Sequence, residues 1–179
     1  MKRFTFFLTF ATLVVFASSS FAQHKPGFGS FSIQNTTLNG EWAFGAGGIG
    51  GGYLTPSILV GGGGYGISGK QPTQSIHMGY GGFLVGYDWL GEEKTNSLLL
   101  YVLGGYGAME VRNETGVAES DFWVIQPNVE VEFPLLGWAR LGLGGGYRLV
   151  MDTDIANLSN QAFSGPFGSI SIRFGDFQR

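Results

Sequence analysis

Residues 121–133 read DFWVIQPNVEVEF, and residues 138–150 read WARLGLGGGYRLV. In the first stretch Trp123, Ile125, Val129, Val131 and Phe133 share one parity, and Gln126, Asn128, Glu130 and Glu132 share the other. In the second, Leu141, Leu143, Tyr147 and Leu149 oppose Arg140, Gly142, Gly144, Gly146 and Arg148. Residues 165–175 repeat the pattern, with Ile170, Ile172 and Phe174 against Ser169, Ser171 and Arg173. Successive side chains of a strand point to opposite faces. Three strands in a row therefore carry large apolar groups on one face and charges on the other. A soluble sandwich has the same period with its apolar face turned inward, so periodicity alone does not separate it from a membrane barrel.

The link between the first two strands sets their register. A three-residue hairpin loop, Leu135-Leu136-Gly137, places Gly137 at the left-handed position such loops favour. Phe133 then pairs with Ala139, Glu132 with Arg140 and Val131 with Leu141, which keeps all charges on one face. In a closed barrel that face is the lumen. The expectation is an internal ion-pair cluster of Glu130, Glu132, Arg140 and Arg173 near the periplasmic end, with Arg148 higher up and Glu132 within about 6 Å of Arg140. A gate or plug is one reading of such a cluster. Simple pairing of charges that cannot stay buried alone is the other, and the preferred one.

Working outward, turn signals divide the chain into eight strand-like segments, 29–37, 41–53, 57–68, 74–89, 97–111, 121–133, 138–150 and 165–175. Most exceed the five or six residues usual in soluble strands, and a tilted strand needs about 9–11 to cross a bilayer. Residues 42–69 hold no charge, but 12 of those 28 are Gly and Pro56 sits among them, so a membrane helix is excluded. In 97–111 both faces are apolar: Leu99, Tyr101, Leu103 and Met109 against Leu98, Leu100, Val102 and Tyr106. Such a strand packs against something inside a barrel or is covered on both sides in a soluble fold. The longest links, 112–120 and 151–164, fall on the same side, as in outer-membrane barrels. Trp42, Tyr53, Trp89, Trp123, Phe133, Trp138 and Tyr147 lie near strand ends, where interfacial girdles place aromatics. Core packing is the alternative role for these rings.

Composition narrows the class. The 179 residues include 10 Lys+Arg, 13 Asp+Glu, 32 Gly and no Cys, with 13% charged and 15% aromatic. Disorder, a disulfide scaffold, a thiol nucleophile and a basic nucleic-acid binder are excluded. Lys2 and Arg3, an uncharged stretch over 4–16 and the small residues Ser20 and Ala22 read as a secretory signal peptide over 1–22. The mature barrel domain is then 23–179, with 8 basic and 13 acidic residues.

No cofactor, metal or catalytic site is read. Gly45 to Gly50 matches G-x-G-x-x-G, but Gly51, Gly52 and Pro56 follow where a helix is required. Gly64 to Lys70 approaches a P-loop, but Gln71 stands where Ser or Thr is needed. Asp152, Asp154 and Asn157 offer oxygens to a calcium ion without the Gly and terminal Glu of an EF-hand, and read as a solvated acidic loop. Ser75 and His77 share a strand face and form the one pair to consider for lipid hydrolysis, with no third member.

The stretches 41–67 (EWAFGAGGIGGGYLTPSILVGGGGYGI), 78–87 (MGYGGFLVGY), 122–133 (FWVIQPNVEVEF), 140–150 (RLGLGGGYRLV) and 165–174 (GPFGSISIRF) resemble a family of small exported Gly-rich proteins of Gram-negative bacteria, generally classed as outer-membrane β-barrels. The plan is also similar to that of OmpA- and OmpX-type barrels. One departure is that five residues follow Phe174, where such barrels usually end on an aromatic. The resemblance implies a single antiparallel up-and-down barrel of about eight strands with a small lumen, located in the outer membrane. It implies no substrate. A structural or surface-interaction role without catalysis is expected, with outer-membrane lipid as partner, no nucleic acid, and an extracellular ligand or protein met through 112–120 and 151–164. The alternative is a soluble periplasmic β-barrel binding an apolar ligand.

Overall fold

A computed structural model of the chain describes residues 27–89, 96–114, 116–155, 158–175 and 177. The segment 1–22, read as an export signal, lies outside them. The strands are β1 (Gly27–Leu38), β2 (Glu41–Tyr53), β3 (Ile58–Lys70), β4 (Gln74–Trp89), β5 (Ser97–Asn113), β6 (Gly116–Leu136), β7 (Ala139–Met151) and β8 (Gly165–Gly175). Each pairs antiparallel with the next, and β8 pairs with β1, so the sheet closes into an eight-stranded up-and-down barrel. The start of β1, Gly27, and the end of β8, Gly175, lie at one end of the barrel, the inner end. The opposite end is the rim.

β2, β4 and β8 have the limits expected from the turn signals. At the rim, β1 and β2 join through Asn39 and Gly40, both at positive φ (49° and 82°), as a two-residue hairpin that follows the right-handed strand twist requires.

The register of β6 and β7 corrects the expected one. Phe133 pairs with Leu141 and Glu132 with Gly142, not with Ala139 and Arg140. The turn is Gly137-Trp138, Leu136 faces Ala139, and a bulge falls between Pro134 and Leu136. Pro134 has no N–H for the ladder, and a bulge is where a strand accommodates proline. The slip amounts to two residues, so every side chain keeps its face.

The links also differ from expectation. Segment 112–120 is not a loop: Val111 pairs with Ala118, Arg112 with Val117 and Asn113 with Gly116. Because β7 joins β6 no higher than the Trp123–Met151 pair, residues 116–122 pair only with β5, whose residues 107–113 also pair with β4, and form a ribbon at the rim. Segment 151–164 is also structured. Ile155 bridges Leu158, and a short helix α1 (Asn160–Phe163) follows. Phe163 is fully buried and Ile155 nearly so, so this link folds into the rim mouth.

The barrel is inverted relative to a soluble protein. Its lumen holds Gln126, Asn128, Glu130, Glu132, Arg140, Arg148 and Arg173, all buried. On the β2–β5 side the lumen is filled instead by Leu59, Tyr65, Tyr80, Leu84, Leu99, Tyr101 and Leu103. That resolves the two-faced strand β5: its inner apolar residues pack on this lumenal cluster, and Leu100, Val102 and Tyr106 face outward. The outer surface carries Phe31, Ile33, Phe44, Phe83, Val85, Ile125, Val129, Leu143 and Ile170, with Phe83 82% exposed. All four tryptophans are outward, Trp42 and Trp123 toward the rim and Trp89 and Trp138 at the inner end. Trp138 stacks on Phe174 at 6.0 Å, and Tyr106 meets Trp123 edge-on at 5.1 Å. Tyr53, expected in a girdle, points inward and is buried. The 13 residues of β7, at ~3.3 Å each and a tilt near 40°, climb about 30 Å. That matches the hydrocarbon thickness of a bilayer.

Candidate functional site

Six strands bring a polar side chain to the inner end of the lumen: Tyr53 from β2, Asp88 from β4, Ser97 from β5, Glu132 from β6, Arg140 from β7 and Arg173 from β8. Each sits within two residues of its strand's inner end except Glu132, which is set back by the Pro134 bulge. Arg173 is the hub. One terminal nitrogen, Nη1, donates to Glu132 Oε1 at 2.7 Å, and the other, Nη2, to Asp88 Oδ2 at 2.7 Å. Nη2 also meets the Tyr53 hydroxyl, which in turn bonds Asp88 Oδ2. Arg140 Nη1 lies 3.7 Å from Glu132 Oε2 and donates to Ser97 Oγ at 2.6 Å, while Ser97 Oγ donates to Glu132 Oε2 at 3.1 Å. Two guanidinium groups face two carboxylates, so the group is neutral. Asp88 and Glu132 are completely buried, Arg173 is 1% exposed and Arg140 6%.

Aromatic rings close this layer toward the inner mouth. Arg173 lies 4.9 Å from the Phe28 ring centroid and 5.3 Å from that of Phe177, and Arg140 lies 4.7 Å from Phe177. Phe177 belongs to the tail that runs past Phe174. Its ring turns back over the guanidinium groups, a geometry that attracts a cation to the ring face.

The other two expected members stand elsewhere. Glu130 makes no ion pair; its carboxylate accepts a hydrogen bond from the Ser171 hydroxyl. The two-residue register slip explains this. Arg140 faces Pro134 instead of Glu132, two residues closer to the inner mouth, so it reaches Glu132 diagonally and leaves Glu130 behind. Gly142 makes room for Glu130, since a Cβ there would fall on the Glu130 carboxylate and the Ser171 hydroxyl. Arg148 is fully buried near the rim and meets no carboxylate. Its Nε donates to the Phe163 carbonyl at 2.9 Å and its Nη2 to the Thr37 carbonyl at 3.2 Å. It thereby ties α1 to β1 and holds Phe163 in the mouth.

Asp88, Tyr53 and Ser97 were missed from sequence. Asp88 was the one with a readable signal: it shares parity with Ile76, Met78, Tyr80 and Leu84. An acid on that run is tolerable only where a lumenal partner waits.

The remaining candidates are not assembled into chemistry. His77 Nδ1 bonds Ser68 Oγ at 2.9 Å on the exposed outer face, not Ser75. Thr153 is held by Asn160 Oδ1 through its backbone N–H at 3.0 Å, and Asp154 by its N–H to Ser120 Oγ at 2.8 Å. Asn157 lies outside the described residues. Among the described residues no three His, Cys, Asp or Glu side chains converge as metal ligands.

What the inner cluster can do is mechanical. It joins β8 to β2, β4 and β6 across the lumen. Above it, Gln126 accepts a hydrogen bond from Tyr80, and the rim is filled by Phe122, Ile155 and Phe163.

No protein-family model matches the chain, and no curated protein matches it in sequence. Solved structures do. Neisserial surface protein A superposes with a TM-score of 0.67 at 12% identity, over 86% of this chain and 97% of that one. The N-terminal β-barrel domain of Pseudomonas aeruginosa OprF gives 0.56 at 5% identity, over 85% and 99%. Ail, the attachment invasion locus protein of Yersinia pestis, gives 0.52 at 8% identity, over 86% and 99%, and has also been solved with the heparin analogue sucrose octasulfate. At these identities the likeness is one of fold: the chain is built as an eight-stranded β-barrel of the Gram-negative outer-membrane type.

Proposed function

We propose that this chain is a closed outer-membrane barrel with a surface-interaction role, that it is not an enzyme, and that its rim ribbon and the 151–164 segment face the cell exterior. The observation that carries this reading is the inversion of polarity. Charged side chains of the strands' lower and middle parts turn into the lumen, and an apolar band about one bilayer thick, bounded by two pairs of tryptophans, turns out. A soluble ligand-binding barrel needs the opposite arrangement, an apolar cavity inside and charge outside. This lumen is filled by its own side chains, as eight strands dictate, and that disfavours a pore as well.

Carbonate extraction of membranes tests the location. The barrel is expected to stay in the pellet, and release into the soluble fraction refutes the proposal. Labelling of intact cells tests the orientation. A cysteine introduced at Val117, on the ribbon, is expected to react with an impermeant maleimide, and a cysteine at Leu135, at the inner end, is expected to stay unlabelled.

A further inference from the structure

The described charges at the rim are strongly one-sided. Besides the buried Arg148, the seven acids Glu41, Glu110, Glu114, Glu119, Asp121, Asp152 and Asp154 face only two described cations, Lys70 and Arg112. On the ribbon Glu110 and Glu119 stand directly opposite each other, a pairing that costs stability. Arg112 is spent on Glu110, at 2.8 Å. Ail has been solved with a sulfated sugar; a rim of this charge repels such a polyanion.

At the foot of the ribbon, Tyr106, Asp121, Phe122, Trp123 and Asp152 line a cleft of about 410 Å³. The Tyr106–Trp123 pair belongs to its lining, the two partly exposed rings meeting edge-on at 66°. Asp121 and Asp152 also line it, are exposed, and make no ion pair among the described residues. Aromatic faces attract a weakly hydrated cation and do little for a neutral group of the same shape. A bare metal ion keeps its water and wants several oxygens around it, which two carboxylates beside an indole do not supply.

We propose that this cleft binds an organic ammonium group, a quaternary or protonated amine, with Tyr106 and Trp123 as the cation–π wall and Asp121 and Asp152 as counter-charges. The inference deepens the surface-interaction reading and rests on it for the side of the membrane the cleft faces. The cleft lies level with the rim tryptophans, so the ammonium can come from a lipid headgroup or from a free solute.

The test uses the full mature chain in uncharged dodecyl maltoside micelles, titrated with choline chloride at constant ionic strength. The readout is the indole N–H resonance of Trp123. A saturable shift is expected with choline, none with sodium chloride, and none with 3,3-dimethylbutanol, the neutral isostere. The double variant Asp121→Asn/Asp152→Asn is expected to weaken choline binding at least about fivefold with an unchanged circular dichroism spectrum; Asn is chosen because Asp152 has φ +65°, which Asn tolerates. Equal shifts with choline and its isostere, no shift with choline, or an unaltered affinity in the double variant overturns the proposal. Repeating the titration in nanodiscs of phosphatidylethanolamine and of phosphatidylglycerol separates the sources. Loss of the choline response in the first disc alone assigns the site to a headgroup ammonium, and a response in both assigns it to a free one. Release by carbonate would sink the location while leaving a positive micelle titration standing, so the two failures are distinguishable.

Discussion

Replacing Arg173 by Met keeps the length and the apolar contact with Phe28 and Phe177 but removes the charge that two buried carboxylates share. Asp88 and Glu132 are each 2.7 Å from it and each fully buried. With charge centres near 4 Å and an effective dielectric of 20, each attraction is about 4 kcal/mol. Relaxation and the remaining partners, Tyr53 for Asp88 and Arg140 with Ser97 for Glu132, reduce the loss. Removing one partner of a buried ion pair typically costs about 3–5 kcal/mol. For a domain of this size each kcal/mol is roughly 2–4 °C. The expected Tm drop for Arg173→Met, followed by circular dichroism in micelles, is therefore about 6–20 °C. The double variant Arg173→Met/Asp88→Asn leaves Arg140 and Glu132 paired and the layer neutral, and is expected to recover more than half of the loss. A single variant within about 1 kcal/mol of the wild type, or a double variant no more stable than the single one, refutes the view that charge pairing holds this layer together.

Gly142→Ala is expected to cost about 1–3 kcal/mol by overpacking Glu130 and Ser171, while Gly66→Ala, with open space at its Cβ, stays within about 0.5 kcal/mol; urea titration compares the two. Phe163→Ala empties the rim plug, with an expected loss of about 3–5 kcal/mol and faster hydrogen exchange at the upper ends of β1 and β7. Phe83→Arg, at the most exposed apolar position, is expected to cost about 2–4 kcal/mol in a bilayer and little for a soluble barrel, which folding measurements in liposomes distinguish.

Legibility from sequence followed the local polarity contrast. In β6, β7 and β8 charged or hydroxyl residues alternate with large apolar ones, so the faces, the barrel and the lumenal position of Glu132, Arg140 and Arg173 could be read. Register could not be read as securely, because the face pattern repeats every two residues and tolerates a slip of two; only the missing N–H of Pro134 marks the bulge. In β2 to β5 glycine and apolar residues occupy both parities. Nothing there distinguished lipid from lumen, and that is why Tyr53 was placed outside and Asp88 was overlooked. The ribbon reads as a loop in sequence because Glu114 to Gly116 look like turn residues and the exposed residues flanking them carry no buried face to reveal a strand.

Contact between the apolar face of this barrel and lipid is reported directly by the four outward tryptophans. With the protein refolded into bilayers of brominated phosphatidylcholine, tryptophan fluorescence is expected to be strongly quenched, and more by bromines placed near the ester end of the acyl chain than by bromines near its methyl end, since Trp42, Trp123, Trp89 and Trp138 lie at the two edges of the band. Emission that is indifferent to brominated lipid would contradict a membrane-spanning barrel.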